Sequence, residues 1–175
     1  MTEFQERSVA QSWYNLRYVI YGITALLLDL AHVIALYLIS VSGITPDLLT
    51  ILVVWIALRE GQFTGILAGF LCGLLFDLVS YDVIGTNALA KTFAGFTAGF
   101  FYKEKNNEYT LGSLYFILAI LASSFVHNLI YFFFYIRPTE MTFWNFFFRY
   151  GIASTLYTTV AALFPMLVKS RNVQN

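Results

Sequence analysis

The sequence predicts an all-α, polytopic integral membrane protein with six transmembrane helices and both termini in the cytoplasm. Three observations predict it. Of the 175 residues, 59% are hydrophobic and 19% aromatic, and only 11% are charged. Soluble domains carry about a quarter charged residues, so this chain has too few to cover a water-facing surface. Six apolar segments reach or approach the ~20 residues a helix needs to cross the hydrocarbon core. Finally, the basic residues segregate: drawn as six spans, Arg7, Arg17, Arg59, Lys103, Lys105, Lys169 and Arg171 share one side. Only Arg137 lies in a loop on the other side, and the positive-inside rule places the cluster and both termini in the cytoplasm.

In chain order, residues 1–17 are polar and read as a cytoplasmic N-terminal segment. They lack the short basic stretch, apolar core and small-residue site of a cleaved signal, so the first apolar segment is expected to remain as an anchor. The spans then fall at about 18–41, 44–58, 63–80, 85–102, 110–136 and 142–168. They form a single six-helix transmembrane domain over 18–168, with 169–175 as a cytoplasmic tail. Pro46 suits the first turn of the short second span, and Asp47 suits the positive end of its dipole. Only Arg59-Glu60-Gly61-Gln62 separates spans two and three, which predicts a tight helical hairpin.

Spans three and four carry matching ridges. Gly65, Gly69 and Gly73 recur every four residues and lead to Asp77; Lys91, Gly95 and Gly99 repeat the spacing. Residues four apart line one helix face, and glycine there lets two backbones approach closely in lipid. An antiparallel hairpin centred on residue 84 would set Gly73 against Gly95, Gly69 against Gly99, and Asp77 against Lys91. Asp77 is then either a fold determinant neutralised by Lys91 or a direct contact for a partner or ligand, since ionisable groups inside a bilayer are functional candidates.

Most of the other polar residues within the spans share the extracytoplasmic half of the membrane. Asp29 and His32 share a face of span one, His127 and Asn128 lie in span five, and Asn145 and Arg149 in span six. With Asp47 they form a candidate polar cluster, and the charges Asp29, Asp47, Asp77, Lys91 and Arg149 are expected to close a ring. The cluster reads as a network stitching helices together, as a cavity for a small solute, or as a socket for another protein's helix. The aromatic runs YFFFY (131–135) and FWNFFF (143–148) are denser than interfacial anchoring requires and mark a candidate docking surface.

Catalytic chemistry has little support. There is no His-Glu-x-x-His, no Gly-x-Ser-x-Gly and no phosphate-binding glycine loop. The two histidines have no cysteine or glutamate at ligand spacing, so neither metal nor haem is expected, and no cofactor. The single cysteine, Cys72, cannot form an internal disulfide. The net charge is zero and no basic run is present, which argues against nucleic acid as a partner.

Residues 46–100 resemble the rod shape-determining protein MreD family. The resemblance rests on a Pro-Asp-led apolar helix (Pro46, Asp47), a short turn containing Arg59, a glycine-rich Gly-Phe-x-x-Gly-Leu-x-x-Asp run with Gly65 before it (Gly69, Phe70, Gly73, Leu74, Asp77), and the following Gly85. It implies a non-enzymatic scaffold of the bacterial cell-elongation complex, in the cytoplasmic (inner) membrane. Such a protein binds MreC and, with it, links MreB filaments to the glycosyltransferase and transpeptidase pair of lateral peptidoglycan synthesis. The family is similar in fold to the S components of vitamin transporters, so the runner-up is a small-solute-binding transporter subunit; Ala31 and Ala35 give a weak small-xxx-small spacing for its coupling partner.

Overall fold

The computed structural model describes residues 3–34, 40, 43–80, 83–104, 107–135 and 142–174; Ala35, Lys105 and Arg137 lie outside them. Within them the chain is helical: α1 (Glu3–Ile34), α2 (Leu48–Glu60), α3 (Gln62–Ser80), α4 (Thr86–Gly99), α5 (Asn107–Leu111), α6 (Leu114–Tyr135), α7 (Phe143–Phe146), a π-helical turn (Phe147–Gly151), α8 (Ile152–Ala161) and α9 (Leu163–Gln174). α1 starts at Glu3, so the polar N-terminal segment continues the first apolar helix without a break.

Among the described residues, three helical runs are long and apolar enough to cross a membrane: Gln62–Ser80, Leu114–Phe134 and Phe143–Arg171. The chain is an all-helical membrane protein. α2 and α4 are shorter, at 13 and 14 residues, or about 20 Å at 1.5 Å per residue. Their environment explains how they are accommodated. Leu49–Val54 and Ile56–Leu58 are buried in α2, which packs against α3, α4 and α6. A helix apolar on every face is a central helix, and α2 is the axis of this bundle.

Two apolar clusters surround it. Ile51, Val54, Ala57 and Leu58 meet Ala98 of α4, Leu111 of α5, Phe116, Ala119 and Ile120 of α6, and Ala162. On the other side, Leu49, Leu52, Val53 and Ile56 meet Ala25 of α1 and Cys72 of α3. α1 packs on α2 and α3 and is tied at the end where α2 turns into α3. There the Tyr21 hydroxyl donates to Glu60 Oε1 (2.9 Å), and Arg17 and Arg59 each approach the same oxygen at 3.8 Å. The hairpin turn itself is Gly61, at φ +100°, where the backbone conformation favours glycine.

α3 and α4 form the most extensive helix pair, and the glycines show why. A methyl group on Gly65 would strike Ala57 and the Gly95 carbonyl; on Gly69, the Lys91 carbonyl; on Gly73, the Asn87 carbonyl and Ala88; on Gly95, the Gly65 carbonyl; and on Gly99, the Gln62 side chain. Backbone lies against backbone where Gly65 meets Gly95, Gly69 meets Lys91 and Gly73 meets Asn87. The register differs from the one expected from the sequence. Gly65 faces Gly95, Gly69 faces Lys91 and Gly73 faces Asn87, so the hairpin is centred on residue 80 rather than 84. Each α3 glycine meets the residue eight positions earlier on α4 than the symmetric ridges suggested, about 12 Å of helix rise.

Candidate functional site

That register moves Asp77 past Lys91 to the start of α4. Asp77 is buried, and its carboxylate accepts four hydrogen bonds there. They come from the backbone N–H of Gly85 (2.8 Å), Asn87 (3.1 Å) and Ala88 (3.1 Å), and from Asn87 Nδ2 (3.0 Å). The first N–H groups of a helix have no partner within the helix; here a carboxylate from the preceding helix supplies it, with the dipole favouring the negative charge. Gly85, the residue before α4, sits at φ +99°, which turns its N–H onto Asp77 at no steric cost. The expected Asp77–Lys91 pair is therefore replaced by a helix cap.

Lys91 pairs instead with Asp47. It is 1% exposed, and its ammonium donates to Asp47 Oδ2. Asp47 is the N-cap of α2: its Oδ1 accepts from Thr50 N (2.9 Å), its Oδ2 from Thr50 Oγ1 (2.7 Å), and its own N–H donates to Thr158 Oγ1 (2.9 Å). His127 Nε2 of α6 lies 3.2 Å from the same Oδ2. One carboxylate thus joins α2, α4 and α6, with its main chain held by α8. An isolated charge in a low-dielectric interior is very costly, and this convergence is what lets Lys91 and Asp47 both stay inside.

The cluster borders a cavity of about 360 Å³. Lys91, Asp47, His32, His127, Asn87 and Asn128 supply polar lining; Phe76, Tyr131, Phe132, Phe146 and Tyr150 supply rings, and Thr45 and Ser154 contribute hydroxyls. His32 stands edge-on against Phe76 with ring centroids 4.8 Å apart, and His127 stacks on Tyr131 at 5.9 Å. The Lys91 ammonium lies 5.4 Å from the centre of the Phe76 ring. The last helix meets the cavity through its π-helical turn, where the Ile152 N–H reaches back to Phe147 O. Asn128 Nδ2 of α6 donates to the Gly151 carbonyl (3.3 Å) and to Thr155 Oγ1 (2.9 Å) and so holds that turn to α6, while Thr155 Oγ1 donates back to the same carbonyl (2.8 Å). Single π-turns inside α-helices occur frequently at functional sites.

The expected ring of charges does not close. Asp47, His32, His127 and Asn128 meet at the cavity with Lys91. Asn145 and Arg149 are exposed, and the Arg149 guanidinium lies 5.8 Å from the ring of its neighbour Tyr150. Asp29 is 2% exposed, and its Oδ1 has no hydrogen-bond partner among the described residues; it does not line the cavity. Among those residues, no group of three His, Cys, Asp or Glu side chains is placed to hold a metal ion.

Asn87, Thr50, Thr158, Tyr150 and Ser154 also belong to the site, beyond the residues expected from the sequence. A periodicity signal was present for some: Asn87 precedes Lys91 by four on the same ridge, and Phe146, Tyr150 and Ser154 follow one another at the same interval. The aromatic runs are partly consumed in packing. Phe132 meets Phe146 at 5.4 Å, Phe133 meets Phe143 at 6.1 Å, and Phe125 meets the buried Phe147 at 5.6 Å. Phe133, Phe134, Trp144 and Phe148 remain exposed.

Comparison with known proteins adds one finding. The family model described as rod shape-determining protein MreD matches residues 14–170. No curated protein and no solved structure matches the chain.

Proposed function

The chain belongs to the rod shape-determining MreD family and has a role in rod shape determination, and from that premise we propose that it acts as a non-enzymatic scaffold of the cell-elongation complex in the bacterial inner membrane. In this reading it binds MreC, and through MreC reaches MreB and the elongation glycosyltransferase and transpeptidase pair. It threads the membrane six times, through α1, α2, α3, α4, α6 and the α7–α9 run, with both termini cytoplasmic. The basic residues Arg17, Arg59 and Lys103 then lie together on the cytoplasmic side, as the positive-inside rule asks.

The observation that carries the proposal is the family match over nearly the whole chain. The interior supports it: Asp77 caps α4 and Asp47 binds Lys91 and the α2 cap. These charges hold helices to one another, which suits a rigid platform read by partners from outside.

The test is affinity purification of the full chain from membranes in mild detergent, with mass spectrometry of everything that co-elutes. Recovery of MreC and the wall synthases is the expected result. Recovery of an energy-coupling ATPase module in their place would overturn the scaffold reading.

A further inference from the structure

The central helix α2 is not covered on every side. Of its residues only Leu48, Trp55, Arg59 and Glu60 escape burial, and the first three, seven and four apart, fall on one helix face. α1 packs on α2 and α3, and α9 on α5, α6 and α8, so the first and last helices leave this stripe between them. The result is a groove of about 510 Å³ that ends at Arg59. Leu48, Leu52 and Trp55 form its floor; Thr24 and Leu28 of α1 form one wall, Ala161 of α8 and Phe164 of α9 the other. We propose that the groove seats one anionic phospholipid, with an acyl chain lying along α2 and the phosphate held at Arg59.

Charge selects the headgroup. Arg17 and Arg59 each approach Glu60 Oε1 at 3.8 Å, where the Tyr21 hydroxyl already donates at 2.9 Å. Two guanidiniums thus share one carboxylate, and among the described residues this end of the groove keeps a net positive charge. The Glu60 side chain is 6% exposed and the Arg59 side chain 29%, so the cation is the member an occupant can reach. A planar guanidinium recognises phosphate through paired N–H donors, and basic pockets between membrane helices take anionic lipid headgroups. Shape selects the apolar part. From Leu48 to Arg59 the groove runs about 16 Å, which gives it a mean section of about 30 Å². A helix with its side chains is about 10–12 Å across, a section of roughly 80–110 Å². The groove is too narrow for a helix body and suits a single polymethylene chain. The inference does not depend on the scaffold reading, since lipid binding is measured on the purified chain without partners.

The experiment is native mass spectrometry of the purified full chain in detergent, titrated with dioleoylphosphatidylglycerol and with dioleoylphosphatidylcholine. The two lipids share their acyl chains and differ in net charge. One phosphatidylglycerol per chain is expected, held at least about fivefold more tightly than phosphatidylcholine, the weight of one basic residue against an anionic lipid. Arg59→Gln should bring the two lipids to equal affinity. Thr24→Trp fills the groove from α1 and should weaken binding of both; Ala161→Phe fills it from α8 and carries the comparison should the first variant fail to fold. Lys103→Gln, exposed outside the groove, should bind as the natural chain does. Equal affinity for the two lipids in the natural chain, a preference undiminished in Arg59→Gln, or binding undiminished in a folded groove-filled variant would each overturn the inference. So would a spectrum in which filling the groove displaces a second copy of the chain, or a co-purified protein, in place of the lipid.

Discussion

Asp47 and Lys91, 44 residues apart, form an ion pair between the N-cap of α2 and the middle of α4. Because α2 is the axis of the bundle and α4 is clamped to α3, this pair adds a buried ionic tie to the apolar packing of the α3–α4 hairpin on the central helix. Removing one partner leaves the other charge buried and uncompensated. Lys91→Met or Asp47→Asn alone should therefore cost about 3–5 kcal/mol, read as loss of thermal stability in detergent. The double variant should recover part of that loss, giving a clear coupling energy in a double-mutant cycle. The same cycle between Lys91→Met and Asp77→Asn should show coupling below about 0.5 kcal/mol. A large coupling there would place Lys91 against the wrong carboxylate.

Asp77 should behave as a helix cap. Asp77→Ala strips acceptors from three backbone N–H groups at the start of α4, at about 1–3 kcal/mol for each buried donor left unsatisfied. Asp77→Asn keeps one oxygen acceptor and should lose less. Amide hydrogen exchange localises the effect: residues 85–88 should exchange faster in Asp77→Ala, while α6 remains protected. Uniform loosening of the whole bundle would argue against a local cap.

The glycine interface predicts a sharp positional contrast. A methyl group on Gly69 meets the Lys91 carbonyl, and one on Gly73 meets the Asn87 carbonyl. Either alanine substitution forces two backbones apart, at about 1–3 kcal/mol. Gly22, on α1, has nothing within 4 Å of the added carbon, and Gly22→Ala should be neutral or slightly stabilising through helix propensity. Melting temperatures of the three variants in one detergent check the order; Gly69→Ala as stable as Gly22→Ala would contradict the close α3–α4 approach.

The six-span arrangement is open to labelling. In a Cys72→Ser background, a cysteine at Glu104 should react with a membrane-impermeant maleimide only after the inner membrane is opened. One at Thr142 should react in cells whose outer barrier alone is permeabilised. Both positions are exposed. Labelling of both from the same side would remove the proposed topology.

Composition alone determined that this chain is a membrane protein, and local spacing determined much of its helical detail. Four residues between two apolar runs make a hairpin wherever they occur, and Asp47 before an apolar helix caps it because the N–H groups it satisfies are its own neighbours'. The glycines every fourth residue named the face on which α3 and α4 meet. What spacing does not carry is axial position. Asn87, Lys91, Gly95 and Gly99 form one continuous ridge, so sliding α4 by two steps along it preserves the face and changes every partner. The slide is decided at the turn, where Asp77 reaches the N–H groups of Gly85, Asn87 and Ala88. With Asp77 occupied, Lys91 is left to Asp47, a residue no periodicity links to it. Likewise, Arg149 and Asn145 looked equivalent to His127 by depth along their helices, but depth does not fix which way a side chain faces. Only the assembled bundle decided which of the polar groups share the cavity, because that depends on how whole helices rotate and slide against one another.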